Sequence, residues 1–179
     1  MKTKRKNALI LVCLMLLCTS KLTFGQESPK LIDTEIASVA VVANQIDIDY
    51  AKIALKRSKN KDIIDFANRM IEDHNAVIQQ AVALVEKLGV NPKDNAVSQS
   101  LLKQSKETLK TLKKVGRKDF DKAYIDNEVA YHKAVIDAVN GLLIPEANNS
   151  ELKGLLEAVV PALEAHLEHA KMTQAKIQN

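Results

Sequence analysis

The sequence predicts an all-α protein, a ferritin-like four-helix bundle with a helical crossover between the second and third long helices. Three observations carry this. Apolar residues recur at steps of three and four along four long segments, the spacing of one helix face. The chain of 179 residues is 46% hydrophobic with only 3% aromatic, an aliphatic composition that suits helices. Five Gly, four Pro and no Trp leave too few turn formers for a sandwich or barrel.

Residues 1–25 read as a signal peptide. A basic stretch from Met1 to Lys6 precedes an apolar run from Ala8 to Cys18, and Thr23 and Gly25 are the small residues expected just before a cleavage site. The run is too short to span a bilayer, which takes about 20 apolar residues, and no later run reaches that length, so the mature chain is expected to lack a transmembrane helix. Both cysteines, Cys13 and Cys18, fall in this segment, leaving residues 26–179 without a thiol or disulfide. Leu17 before Cys18 departs from the small residue that lipid attachment prefers. The formal charge of +4 is also explained here: five of the 26 basic residues lie in this segment with no acid beside them, which leaves 21 basic against 22 acidic residues. That balance argues against nucleic acid as a partner. The expected location is the periplasm or an outer-membrane-associated site, and the expected partner another envelope component or a second copy of the chain.

The mature domain is then read helix by helix. Helix one covers about 31–58, with Ile32, Ile36, Val39, Ala43, Ile46, Tyr50 and Ile53 on its seam. Helix two covers about 61–88, with Asn60 as its cap, Ile63, Ala67, Met70, His74, Val77, Ala81, Leu84 and Leu88 on its seam, and Gly89 and Pro92 as its stop. Residues 89–118 are Lys-rich and form the crossover, with a short helix inside it; acids interleave with the lysines, so this reads as a solvated face. Helix three covers about 119–143, with Ile125, Val129, His132, Ile136, Val139 and Leu143, and Pro145 to Asn149 end it. Helix four covers about 150–177, with Ser150 as cap and Pro161 inside it, where a kink or one weakened hydrogen bond is expected.

The histidines are the chemical signal. Three of the four, His74, His132 and His166, fall in step with the seams of three different helices. An apolar stripe takes about three positions in seven, so the coincidence has a chance likelihood of about one in twelve. Counted from Asn60, Asp119 and Ser150 they lie 14, 13 and 16 residues in, a similar depth in each helix. Asp47 reaches the same level on helix one. The pattern suits a transition-metal site for zinc, copper or iron, with His74, His132 and His166 as ligands and Asp47 or Asp73 as the acid. It equally suits a metal-free layer in which each imidazole hydrogen-bonds a neighbour and fixes the register of the bundle.

Enzyme chemistry finds little support. Di-iron bundles need a Glu three residues before a His on two helices, and Ile71, Val129 and Leu163 occupy those positions. No Ser or Cys nucleophile stands at an elbow, and no glycine-rich phosphate loop occurs. His169 lies one turn from His166 but off the seam, and is expected beside solvent.

Three stretches, Phe66-Ala67-Asn68-Arg69-Met70-Ile71-Glu72-Asp73-His74, Phe120-Asp121-Lys122-Ala123-Tyr124 leading to His132, and Pro161-Ala162-Leu163-Glu164-Ala165-His166-Leu167, resemble the signatures of the bacterial family called domain of unknown function 4142. The resemblance covers about Leu31 to Lys176. It implies a ferritin-like bundle in exported bacterial proteins, without an assigned activity. The family's recurring histidines correspond to His74, His132 and His166, and its members commonly carry Glu where this chain has Asp47.

Overall fold

The structure, a computed structural model, describes residues 30–178. The signal-peptide reading of residues 1–25 lies outside them. The chain folds into α1 (Asp33–Arg57), α2 (Lys61–Lys87), α3 (Ala96–Lys114), α4 (Phe120–Ala138), a π-helical turn at Val139–Leu143, α5 (Ile144–Glu146) and α6 (Ser150–Gln178). Among the described residues there is no strand, and no helix is long and apolar enough to cross a membrane.

Local chemistry sets these boundaries. The Asn60 side chain accepts from Asp62 N at 2.9 Å and starts α2. Gly89 ends it at φ 64°, where Gly89 N bonds Glu86 O and Val90 N bonds Val85 O, the paired closure that only a left-handed residue allows. Asn95 caps α3 through Val97 N and Ser98 N, both at 3.0 Å. The cap of α6 is Asn149 rather than the expected Ser150, since Asn149 Oδ1 accepts from Glu151 N and Leu152 N at 3.0 Å. Helix three also runs further than its sequence suggests. The π-turn shifts the ladder by one residue, with Ile144 N reaching Val139 O, and Pro145 then sits at the start of α5, where its missing N–H is not needed. Pro161 lies within an unbroken α6.

Long-range bonds fix the topology. The Asp33 carboxylate accepts from Asn148 N and Asn149 N, and Tyr131 Oη donates to Ala43 O at 2.8 Å, so α1 and α4 are antiparallel. Lys176 pairs with Asp62 at one end of α2 and Lys87 with Glu151 at the other, so α2 and α6 are antiparallel as well. Hence α2 and α4 run the same way on opposite corners of the bundle, and the chain must return between them. That return is α3, a helix of 19 residues where a short one was expected. It lies along α1 in the same direction: Asn95 Nδ2 donates to Glu35 O at one end, and Arg57 donates to Leu112 O and Val115 O at the other. The Arg57 guanidinium also covers the Phe120 ring at 4.6 Å.

The core has two parts. One end is built around Ile46, Tyr50, Ile63, Phe66, Met70, Leu112, Phe120, Tyr124 and Ile125. The other gathers Leu31, Ile36, Val39, Val139, Leu143, Leu152, Leu156 and Leu163. Between them lies a polar layer.

Candidate metal centre

Helix periodicity delivers the layer. His74 on α2, His132 on α4 and His166 on α6 are all buried on core-facing positions, and Asp47 on α1 is fully buried beside them. The three imidazoles stand in mutual contact, with ring centroids 5.2 to 5.8 Å apart. One ring nitrogen from each lies within 4.8 Å of the others.

One nitrogen of each ring is anchored, and the anchor decides where its proton sits. The His132 Nδ1 faces Glu128 O at 3.0 Å, and a carbonyl only accepts, so Nδ1 carries the hydrogen. The His74 Nδ1 meets Asn44 Oδ1 at 2.7 Å, while Asn44 Nδ2 donates to Ala40 O at 2.8 Å, so here too Nδ1 donates. The His166 Nε2 donates to Asp73 Oδ2 at 2.8 Å, and the same oxygen takes the Arg69 Nε at 2.5 Å. The remaining nitrogens, His74 Nε2, His132 Nε2 and His166 Nδ1, are buried lone pairs without a hydrogen-bond partner.

Both Asp47 oxygens are likewise buried without a hydrogen bond. Asp47 Oδ2 stands 3.2 Å from His74 Nε2 and 3.4 Å from His132 Nε2. With both imidazoles neutral, lone pairs face lone pairs, an arrangement that demands a positive charge between them. Burial raises the Asp47 carboxyl, but the attraction that positively charged imidazoles exert on it, His74 foremost, holds it below 3.8. Burial also lowers His132 and His166 below 6.5, which favours their neutral, ligating forms.

Of the two acids expected here, Asp47 stands among the histidines, whereas Asp73 sits behind His166 and fixes its ring. Sequence reasoning passed over Glu128. It is fully buried, and with Asp47 and His132 it forms a second group whose ligand atoms lie within 4.8 Å. Burial and then the Asp47 charge push its carboxyl well above 4.5, so it holds its proton to higher pH. A signal was available: Glu128 precedes His132 by four residues, one turn on the same face, not by the three of the di-iron pattern. His169 departs from its expected place beside solvent; it is half-buried, its ring edge-on to Phe66 at 5.1 Å.

Fold and site together define an all-α bundle with a buried cluster of histidines and carboxylates. The chain belongs to the family described as a domain of unknown function, DUF4142, whose model matches residues 21–173. No curated protein matches it. Among solved structures, one titled "CopM in the Cu(II)-bound form" is similar in fold, with a TM-score of 0.62 and 14% identity over 83% of this chain and 99% of that one.

Proposed function

We propose that the protein binds a transition-metal ion in the middle of the bundle, with His74, His132 and His166 supplying nitrogens and Asp47 an oxygen. The observation that carries this reading is the convergence of three unpartnered imidazole nitrogens on an unpartnered carboxylate in a buried layer. Two atoms held by one tetrahedral ion at about 2.0 Å lie about 3.3 Å apart. Asp47 Oδ2 and the two facing nitrogens already have that spacing, at 3.2 and 3.4 Å. The other nitrogen of each ring is tied to Asn44, Glu128 O or Asp73, as ligating histidines are in general oriented by an outer partner. Glu128, its carboxyl pushed upward by burial and the Asp47 charge, stands beside the carboxylate.

Imidazole with one carboxylate suits zinc, copper or iron, and copper(II) heads the affinity order for nitrogen and oxygen sites. The fold shared with CopM, solved with Cu(II), makes copper the first ion to try. We place the protein outside the cytoplasm, as an exported envelope protein that holds metal. The competing reading is a metal-free envelope protein whose histidines only order the core; the unsatisfied lone pairs speak against it.

The test is metal analysis by mass spectrometry on untagged protein from metal-supplemented medium, with His132→Gln alongside. About one equivalent of metal, lost in the variant, is expected. No metal in either sample overturns the proposal.

A further inference from the structure

The two halves of the bundle are packed unequally about the histidine layer. On α2, the residues before His74 that face the core, Ile63, Phe66, Ala67 and Met70, are each 0% exposed. After His74 the same stripe continues with Val77, Leu84 and Leu88, yet these are only half-buried, Ala81 alone is buried, and Val82 next to it is 42% exposed. A regular seam that stays apolar but loses its burial has something missing from its far side. What it faces is a cavity of about 440 Å³, walled by Val77 and Leu84 of α2, Val135 of α4, Val139 of the π-turn, and Leu156 and Leu163 of α6. Its polar floor is the histidine layer. Protein interiors otherwise leave few spaces larger than a water molecule.

We propose that this half of the bundle is a binding chamber for the hydrocarbon tail of a single-chain amphiphile. Size sets the length of the tail: an apolar cavity of about 150 Å³ takes a benzene ring, so one of about 440 Å³ takes three times as much, about 15 to 18 carbon-sized atoms. Chemistry sets its class. The charged groups, Asp47, Arg69 and Asp73, lie at the histidine end; beyond it the walls are aliphatic apart from Gln80 and Gln104, and the volume lies in the range of ordinary ligand pockets. An opening follows from the rim, where three of four residues are alanines. Ala76 and Gln80 on α2 face Ala158 and Ala162 on α6; all four border the cavity and all four are exposed. The head group of the amphiphile stays there, in water. The π-turn is the second, independent mark. Its widened backbone brings Val139 and Leu143 to the chamber wall, and such turns recur at functional sites. The inference does not depend on a bound metal, since the walls that hold the tail are not the groups proposed as ligands.

The experiment titrates the metal-free protein with N-phenyl-1-naphthylamine, a neutral dye of 17 non-hydrogen atoms, then competes with dodecanol and with dodecanoate. Saturable binding of one dye per chain, displaced by either competitor, is expected. Ala81→Leu fills the chamber from within and Ala162→Leu narrows its rim. Each is expected to weaken dye binding at least tenfold without lowering the melting midpoint, because the added carbons enter space already there. Because the titration uses metal-free protein, its outcome stands whether or not the layer binds metal, which separates this proposal from the metal site. Absence of saturable binding overturns it. So does dye binding unchanged in both alanine variants, or a fall in melting midpoint in both, which means the space does not exist.

Discussion

Asp47→Asn is the substitution in which stability and metal affinity move in opposite directions. In the metal-free protein the carboxylate faces two bare imidazole nitrogens at 3.2 and 3.4 Å, and neither its oxygens nor those nitrogens has a hydrogen bond. The asparagine amide has nearly the same shape and brings two N–H donors, one of which satisfies a facing nitrogen while the buried charge disappears. Relieving an unsatisfied buried group is worth about 1 to 3 kcal/mol. For a domain of this size, about 3 °C per kcal/mol applies, so the melting midpoint of the metal-free variant rises by about 3 to 9 °C. With metal the order reverses. At a hundred times the wild-type Kd, the ion adds about 2.7 kcal/mol to the wild-type protein, and a hundredfold weaker site leaves the variant only about 0.4 kcal/mol. Thermal unfolding in chelator and in graded metal reads both effects. A lower midpoint for the variant in chelator refutes the reasoning, since it means that Asp47 is already satisfied by a proton shared with the histidines.

Three further outcomes follow. Arg57→Ala removes two charged bonds to the end of α3 and the cover of Phe120, and is expected to cost about 2 kcal/mol in urea unfolding, with Arg57→Lys restoring less than half because an ammonium cannot reach both carbonyls in one plane. In the metal-free Glu128→Gln variant, stability should fall as the pH drops below 6.5. There the unfolded chain takes up protons that the buried His132 and His166 refuse, with a slope approaching about 1.4 kcal/mol per pH unit for each histidine; a flat urea-midpoint profile between pH 7 and 5 contradicts this. The wild-type slope should be shallower, because Glu128 has the opposite sign: it keeps a proton when folded that the unfolded chain releases above 4.5. Gly89→Ala meets no side chain within 4 Å but must hold φ at +64°, so a loss of about 1 kcal/mol in urea unfolding is expected.

The helical class and the alignment of three histidines were legible because both are periodic, and periodicity survives in a single sequence. Asp47 was legible by counting depth from a cap. Glu128 was legible only in its placement one turn before His132; that it is buried depends on Asp47, which α1 brings from elsewhere in the bundle. The role of Asp73 was visible only in part, because the His166 it orients lies 93 residues away. The helical end within Pro145 to Asn149 was legible, but the π-turn before it was not, because sequence does not announce the one-residue shift that seats the proline at the start of α5. For the crossover, the lysines of α3 that mark its solvated face concealed a buried strip of Ser98, Ser105 and Leu112 turned toward the bundle.

Unequal packing about the histidine layer also has a kinetic side. Amide hydrogens of α2 before Met70 sit under a closed core and should exchange only when the whole molecule unfolds, whereas those beyond Val77 lie over half-buried residues and should exchange through smaller openings. The proposed ligands stand at the boundary between the two regimes. An ion can therefore reach them by a breathing of one half while the other half, built from all four long helices of the bundle, keeps them in register. The entry rate would then follow local opening, and the lifetime of the bound ion would follow how seldom that half lets go.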